Sequence, residues 1–342
     1  MAWPFLLVLL ALSFLANLFV GSIDIPVADV TDILLGRGEM DSAEHYIILE
    51  SRLPSAISAT LCGGALAVAG LLMQTAFRNP LAGPSIMGVN SGASLGVAVV
   101  MLLLGGTVTA GSVELSGEIA VIAGALIGAL AVIGVLLAIA SFVRNDLLLL
   151  IVGILVGYLA SSFIMILNYG ATSEGVQSYV MWGMGSFQGV PMSRLPVMAG
   201  LIFAGLVLAV GLVKPLDTLL LGDDYAVSLG VDIRRTKQLL LLSTGVLAAT
   251  ATAYCGPVAF IGLAVPHIAR MVIRTDIHRR LLPMTLLCGC LIALWCNIIC
   301  QLPYTGVLSA IASPSPLPLN AVTPLFGVPV ILYVILKGRA RR

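Results

Sequence analysis

Residues 117–168 read GEIAVIAGALIGALAVIGVLLAIASFV, then RND, then LLLLIVGILVGYLASSFIMILN. Each apolar run exceeds the ~20 residues with which an α-helix crosses a bilayer. The polar break between them is Arg144-Asn145-Asp146, and past Glu118 neither run carries a charged side chain. Hydrocarbon offers no partner for backbone N–H and C=O groups, so such runs span as helices. This stretch is a membrane hairpin.

Outward from it, the same pattern fills the chain. Of 342 residues, 59% are hydrophobic and 10% charged, where soluble domains have about 45–50% and about 25%. A soluble enzyme, a nucleic-acid binder and a disordered chain are excluded, because so few charges cannot cover so much apolar surface. Hydropathy predicts ten spans, near 3–21, 53–77, 86–104, 117–143, 147–168, 195–213, 239–255, 258–272, 281–301 and 321–336. The eighth is short and is expected to be tilted or partly non-spanning. The first lacks the basic n-region of a signal peptide and reads as a retained span. The expectation is an all-α integral membrane protein with one domain over 1–342, and the net charge of +1 gives no reason to expect an acidic partner.

Orientation follows from lysine and arginine. Ten spans put Arg78, Arg144, Lys214, Arg234, Arg235, Lys237, Arg270, Arg274, Arg279, Arg280, Lys337, Arg339, Arg341 and Arg342 on one side. Arg37, Arg52 and Arg194 fall on the other. The rich side is read as cytoplasmic, with both termini there. The loop 214–238 is then cytoplasmic, and the loops 22–52, 169–194 and 302–320 are external. Loop 169–194 carries Glu174, Trp182 and Phe187 and is expected to hold a short interfacial helix with its aromatics at headgroup level.

Absent residues narrow the chemistry. The second to seventh spans have no ionisable side chain in their central portions, which disfavours proton relays and voltage sensing. His45, His267 and His278 lie near loops or span ends, away from where haem ligands or an intramembrane hydrolase would need them. Lys214, Lys237 and Lys337 each lack the glycine that precedes a P-loop lysine. Energy for uphill transport must therefore enter from another subunit. The six cysteines, Cys62, Cys255, Cys288, Cys290, Cys296 and Cys300, read as small packing residues, neither metal ligands nor a disulfide scaffold. Small-xxx-small spacings such as Gly124/Gly128 and Gly153/Gly157 predict close helix packing.

Three motifs stand out. Arg78-Asn79-Pro80-Leu81-Ala82-Gly83-Pro84 stops the second span and makes a tight turn before Gly88-Val89-Asn90-Ser91-Gly92 opens the third. Gly222-Asp223-Asp224-Tyr225-Ala226-Val227-Ser228-Leu229-Gly230 predicts a short helix on the 214–238 loop, with Asp223 as its cap and Gly230 as the left-handed residue closing it. Pro266-His267-Ile268-Ala269-Arg270 lies in the eighth span. His267 there reads equally as part of a functional motif or as a histidine satisfied by nearby backbone in a kinked span.

The conjunction of these motifs with Arg52-Leu53-Pro54, Trp182-Gly183-Met184-Gly185-Ser186-Phe187, Leu317-Pro318 and Val322-Thr323-Pro324 resembles the FecCD family, the permeases of ABC importers for iron-siderophores, haem and vitamin B12. The resemblance covers most of the chain. It implies the fold of the vitamin B12 importer permease, a homodimer forming a twenty-helix channel in a bacterial inner membrane, and no enzymatic activity or cofactor in this chain. It implies two cytoplasmic ATPase subunits, using ATP and Mg, docked on Asp223, Asp224, Ala226, Leu229 and Gly230. Arg78, Asn79, Pro80, His267 and Arg270 form a secondary cytoplasmic contact. An external binding protein docks on Arg52. Family members carry further basic residues where Ser55 and Gln301 stand here, so the external contact departs from the pattern. Asn90, Ser91, Asn145 and Asp146 are the gate or pathway candidates. The implied cargo is an iron chelate (iron-siderophore or haem), with cobalamin the alternative. An ion-gradient-driven secondary transporter is the competing class, and it lacks the buried carboxylates it would need.

Overall fold

The computed structural model describes residues 2–37, 42–110, 113–140, 142, 146–305 and 315–339. In chain order the helices and strands are α1 (Ala2–Phe19), α2 (Val27–Leu34), α3 (Ala43–Tyr46), α4 (Leu53–Ala76), α5 (Val89–Ala98), β1 (Thr107–Ala110), β2 (Val113–Ser116), α6 (Glu118–Ala140), α7 (Asp146–Gly170), α8 (Ser173–Gly183), α9 (Leu195–Gly211), α10 (Val213–Leu219), α11 (Asp223–Ser228), α12 (Ile233–Cys255), α13 (Ile261–Ile273), α14 (His278–Gln301) and α15 (Leu319–Arg339). Among the described residues, six helical runs are long and apolar enough to cross a membrane: Ala43–Ala76, Glu118–Ala140, Leu148–Gly170, Met192–Gly211, Ile233–Cys255 and His278–Gln301. Four shorter apolar helices, Trp3–Phe19, Val89–Leu103, Ile261–Ile273 and Leu319–Val334, accompany them. Together they coincide with the ten predicted spans.

The second span starts earlier than hydropathy placed it. A π-helical turn, Ile47–Arg52, joins α3 to α4 and makes one helical run from Ala43 to Ala76. Polar residues Glu50, Ser51 and Arg52 mask this extension from a hydropathy reading. A β-hairpin, β1–β2, pairs antiparallel with Thr107 opposite Ser116 and Ala110 opposite Val113. It follows α5, and its two strands, Thr-Val-Thr-Ala and Val-Glu-Leu-Ser, alternate polar and apolar residues over too few positions to stand out among the apolar spans.

The bundle is organised around α4, which packs most extensively on α14 and then on α12 and α13. Its most apolar window is 83% buried, against 22% for α7. Small side chains allow this. A Cβ on Gly70 would run into the carbonyl of Gly262 on α13, and one on Gly63 into the carbonyl of Gly289 on α14. In lipid, where tails are as apolar as leucine, such close approach is a main source of association. The predicted small-xxx-small pairs act the same way. Gly124 and Gly128 of α6 face Gly96 and Gly92 of α5, and Gly153 and Gly157 of α7 face Met87 and Ser91. All six cysteines are buried free thiols.

A buried polar cluster ties three spans near their ends. Asn17 Nδ2 donates to Leu294 O (3.3 Å), Asn297 Nδ2 donates to Asn17 Oδ1 (2.9 Å) and to Ser55 Oγ (3.0 Å). Asn17, Ser55 and Asn297 are all nearly fully buried. Satisfied in this way, the amides join α1, α4 and α14 without leaving orphan donors.

Candidate functional site

The ends of α4 and α13 and the starts of α12 and α14 share the lysine- and arginine-rich end of the bundle, here the basic end. There α4 terminates in a left-handed C-cap. Arg78 N donates to Thr75 O (3.3 Å) and Asn79 N to Gln74 O (3.2 Å), the paired bonds of a Schellman motif. The left-handed position, normally glycine, is Arg78 at φ 45°, which costs an L-residue ~1–2 kcal/mol. The side chain accounts for the choice. Its guanidinium pairs with Asp223 of α11 and donates to Leu219 O at the end of α10 (3.2 Å). Lys237 of α12 approaches the same carboxylate at 3.9 Å.

These contacts seat α11. Gly222 at φ 114° stands at its N-cap. Asp223, expected to cap, is instead the first helical residue, and its carboxylate is engaged by the two cations. Gly230 at φ 80° closes the helix as predicted, with Val231 N donating to Ala226 O (2.9 Å). Ala226, read from the resemblance as a docking residue, is fully buried beneath the helix. Outward stand Leu221, Tyr225, Val227 and Leu229, about 60% exposed, with Asp224 exposed beside them. An apolar, carboxylate-edged knob thus projects from a rigid seat.

The other expected contact residues gather beside it, largely holding one another. His267 Nε2 donates to Pro80 O (2.8 Å), so the histidine is satisfied by backbone and pins the Asn79–Pro84 turn to α13. Asn79 Oδ1 accepts from Leu81 N (2.9 Å) within that turn. Arg270 donates to Gln74 Oε1 (2.6 Å) and pairs with Asp276 (3.3 Å), and Gln74 Nε2 donates to Leu263 O (3.0 Å). One further link escaped the sequence reading. Asp217 of α10 accepts from His278 N and Nδ1, both at 2.7 Å, and His278 Nε2 lies 2.8 Å from Thr75 Oγ1. A carboxylate from α10 therefore caps α14 and joins it to α4. His278 lies 61 residues from Asp217 and 203 from Thr75 in sequence, so no local pattern signals the link.

Of the gate candidates, Asn90 bridges two elements: its Oδ1 accepts from Thr252 Oγ1 of α12 (3.1 Å), and its Nδ2 donates to Ser85 Oγ (3.2 Å). Ser91 packs beside Gly157 of α7. Asp146 begins α7, and Asn145 lies outside the described residues.

At the opposite end, α8 is the helix expected in loop 169–194, capped by Thr172 Oγ1 accepting from Gly175 N (3.2 Å). Trp182 stacks on Tyr179 with centroids 6.3 Å apart. Burial pushes the Tyr179 phenol above its ordinary range, with a hydrogen bond to Ser94 opposing. Phe187, expected at headgroup level, is instead in the core at 1% exposed. Asn320, at the start of α15, joins the end of α8 to the connection between α12 and α13. Its Nδ2 donates to Pro257 O (2.6 Å) and Gly183 O (3.2 Å), its Oδ1 accepts from Ala259 N (3.1 Å), and its N donates to Met184 O (3.2 Å). Beside this junction a cavity of about 590 Å³, lined among others by Met101, Glu118, Glu174, Trp182 and Tyr254, opens between α6, α8 and the end of α12.

Arg52, expected at the external docking surface, is turned inward. It is 4% exposed and donates through Nη1 to Leu18 O and Phe19 O, each at 2.9 Å, and through Nη2 to Ile23 O. It caps the carbonyls at the C-terminus of α1, where the helix dipole favours a cation. A charge opening an apolar run reads as exposed; the carbonyls that draw it inward lie 29 to 34 residues away.

The profile of the FecCD transport family matches residues 9–337. The chain belongs to the FecCD transport family. As a FecCD protein it is a multi-pass membrane permease of the ABC importer type, in a family of transport proteins and not enzymes. It is 32% identical to the hemin transport system permease protein HmuU of Yersinia pestis over 342 residues, covering 99% of this chain and 96% of that protein. It is also 32% identical to the vitamin B12 import system permease protein BtuC of Vibrio cholerae over 300 residues, covering 87% and 85%. A solved metal-chelate type ABC transporter in an inward-facing conformation matches this FecCD fold with a TM-score of 0.81 at 24% identity, covering 97% of each chain.

Proposed function

We propose that this FecCD permease is the membrane passage of an ATP-driven importer that carries an iron chelate, iron-siderophore or haem, across a bacterial cytoplasmic membrane, with both termini and the basic end cytoplasmic. The observation that carries the reading is the α11 knob. Leu221, Tyr225 and Leu229 are large apolar residues held in water by a helix whose own seat, Ala226, is buried and whose base is clamped by Arg78 and Lys237. A water-facing apolar patch on a rigid base suits a protein partner. Here that partner is a separate ATPase subunit, which supplies ATP and Mg; this chain binds no cofactor and no nucleic acid.

Movement of the ATPases drives α11 as a lever. Through Arg78 the motion reaches α4, and through Asp217 and His278 it reaches α14, so the two most extensively packed helices receive it together. A second copy of the chain completes the channel. The face of α7 supports this, since Leu155, Tyr158, Leu159, Phe163 and Ile166 are exposed on a helix that is only 22% buried in its apolar window. The cavity at the opposite end, within the ~300–1,000 Å³ typical of ligand pockets, serves in this reading as a vestibule for cargo released by an external binding protein. HmuU and BtuC stand at equal identity, so cobalamin is the alternative cargo.

The test is reconstitution of the permease with its ATPase and binding protein in vesicles. Gly230→Trp and Asp224→Arg are expected to retain a folded, monodisperse permease while separating ATP hydrolysis from uptake by ten-fold or more. Normal coupled uptake by both variants, or uptake without any ATPase, removes the proposal. Competition between labelled haem, ferric siderophores and cobalamin decides the cargo.

A further inference from the structure

Arg52 is a buried cation whose capping bonds leave one donor over. Its Nη groups are taken by three backbone carbonyls, while its Nε is buried with no hydrogen-bond partner. The carboxylate that acts on it, Asp24, stands exposed in solvent, where water screens its charge. A guanidinium left in this condition is costly, since a buried charge needs both a counter-charge and filled hydrogen bonds.

The surroundings supply what is missing. A partly open, mainly polar cavity of about 30 Å³ adjoins the guanidinium, walled by Ser22, Ser51, Ser55, Gln188 and Gln301, with Ile47 as its one large apolar side chain. Gly21, whose backbone lies so close to Nε that a Cβ would overlap it at 2.6 Å, forms part of the same wall. Three of the lining side chains are built into the protein: Arg52 at 4%, Ser55 at 2% and Gln301 at 4% exposed. Ser55 Oγ already accepts from Asn297 Nδ2 at 3.0 Å, which leaves its own O–H to donate. Its one alternative acceptor, Asn297 Oδ1, is at 3.4 Å. Ser22 and Ser51 are exposed, so the cavity communicates with water at the mouth of the bundle.

We propose that this cavity is a binding site for one small monovalent anion of chloride size. The wall offers several donors, namely the Arg52 Nε–H, the serine hydroxyls and the glutamine amides, beside a fixed positive charge and with no carboxylate lining it. A water molecule would fill the space and satisfy Nε, but it would leave the charge uncompensated. The bound anion joins four pieces of chain at one point: the end of α1, the start of α4, the segment after α8 and the end of α14. Occupancy therefore stiffens the mouth of the passage where a binding protein would release its cargo. The inference stands on the Arg52 geometry and does not depend on the identity of that cargo.

Full-length permease purified in detergent is unfolded by heat at constant ionic strength in chloride, bromide or gluconate. Chloride and bromide are expected to raise Tm by several degrees with saturation, and Ser55→Ala to shift the half-saturating chloride concentration upward by at least ten-fold. Gln301→Glu places a carboxylate in the cavity; this variant is expected to keep the high Tm in gluconate and to lose its response to chloride. Crystals grown in bromide should show one anomalous peak beside Arg52 Nε. Identical Tm in all three salts, or a water without anomalous signal at that position, overturns the proposal. Because Ser55→Ala and Gln301→Glu leave Arg52 and its capping bonds in place, the result does not rest on a variant that fails to fold.

Discussion

At the basic end ion pairs make most of the joints: Arg78 and Lys237 both hold Asp223, tying α4 and α12 to α11, and Arg270 of α13 holds Asp276 in the turn before α14, while the Asp217 carboxylate of α10 accepts hydrogen bonds from His278 of α14. At the opposite end the corresponding joints are made by amides and carbonyls, with Asn320 linking three segments and Asn17, Ser55 and Asn297 linking three spans. Even Arg52 serves there as a donor to carbonyls. The difference teaches something about motion. Coulomb attraction falls slowly with distance and tolerates reorientation, so half-exposed ion pairs hold while parts slide. Neutral hydrogen bonds weaken steeply with angle and are either made or broken. The basic end is built to transmit displacement, and the opposite end to resist it.

The largest expected effect tests the scaffold that both ends share. Gly70→Val inserts a branched side chain where the carbonyl of Gly262 already sits. It should cost upwards of ~3 kcal/mol, read as loss of monodisperse protein by size-exclusion chromatography. Wild-type behaviour would mean that α4 and α13 are not in backbone contact. Next comes the opposite end. Asn320→Ala removes three side-chain hydrogen bonds and strands buried backbone groups, and is expected to lower stability by ~2–4 kcal/mol in thermal unfolding, independently of salt.

The basic end should respond more mildly. Asp217→Ala uncaps α14 and is expected to cost ~1–2 kcal/mol, while the ratio of ATP hydrolysed to cargo moved rises several-fold. An unchanged ratio would show that α14 does not receive the motion of α10. Smallest in stability is Arg78→Gly. Relief of the left-handed strain, ~1–2 kcal/mol, offsets loss of an exposed ion pair worth ~0.2–1 kcal/mol. Tm should therefore hold or rise slightly while coupled uptake falls at least five-fold. A fall in both would make Arg78 a structural residue only.

The bundle was legible because lipid enforces one rule along every span, and the ten runs needed no knowledge of their neighbours. Gly230 and the small-xxx-small pairs were legible for the same reason, since each answers a local demand of φ or of contact. What stayed hidden involved partners distant in sequence. Arg52 looked like a surface charge because the carbonyls it caps belong to another helix. Asp223 looked like a cap because nothing nearby announced Arg78 and Lys237. The Asp217–His278–Thr75 link and the Asn320 junction had no signature at all. In each case a polar side chain was visible, and the group it satisfies was not.

The Asn320 junction carries a kinetic consequence. Because a single carboxamide and its own peptide nitrogen stitch Gly183, Met184, Pro257 and Ala259 to the start of α15, no one of these strands of chain can swing away by itself. They must depart as a block or stay put, so any parting of this junction is a single concerted rupture of several hydrogen bonds and not a series of small, independent losses.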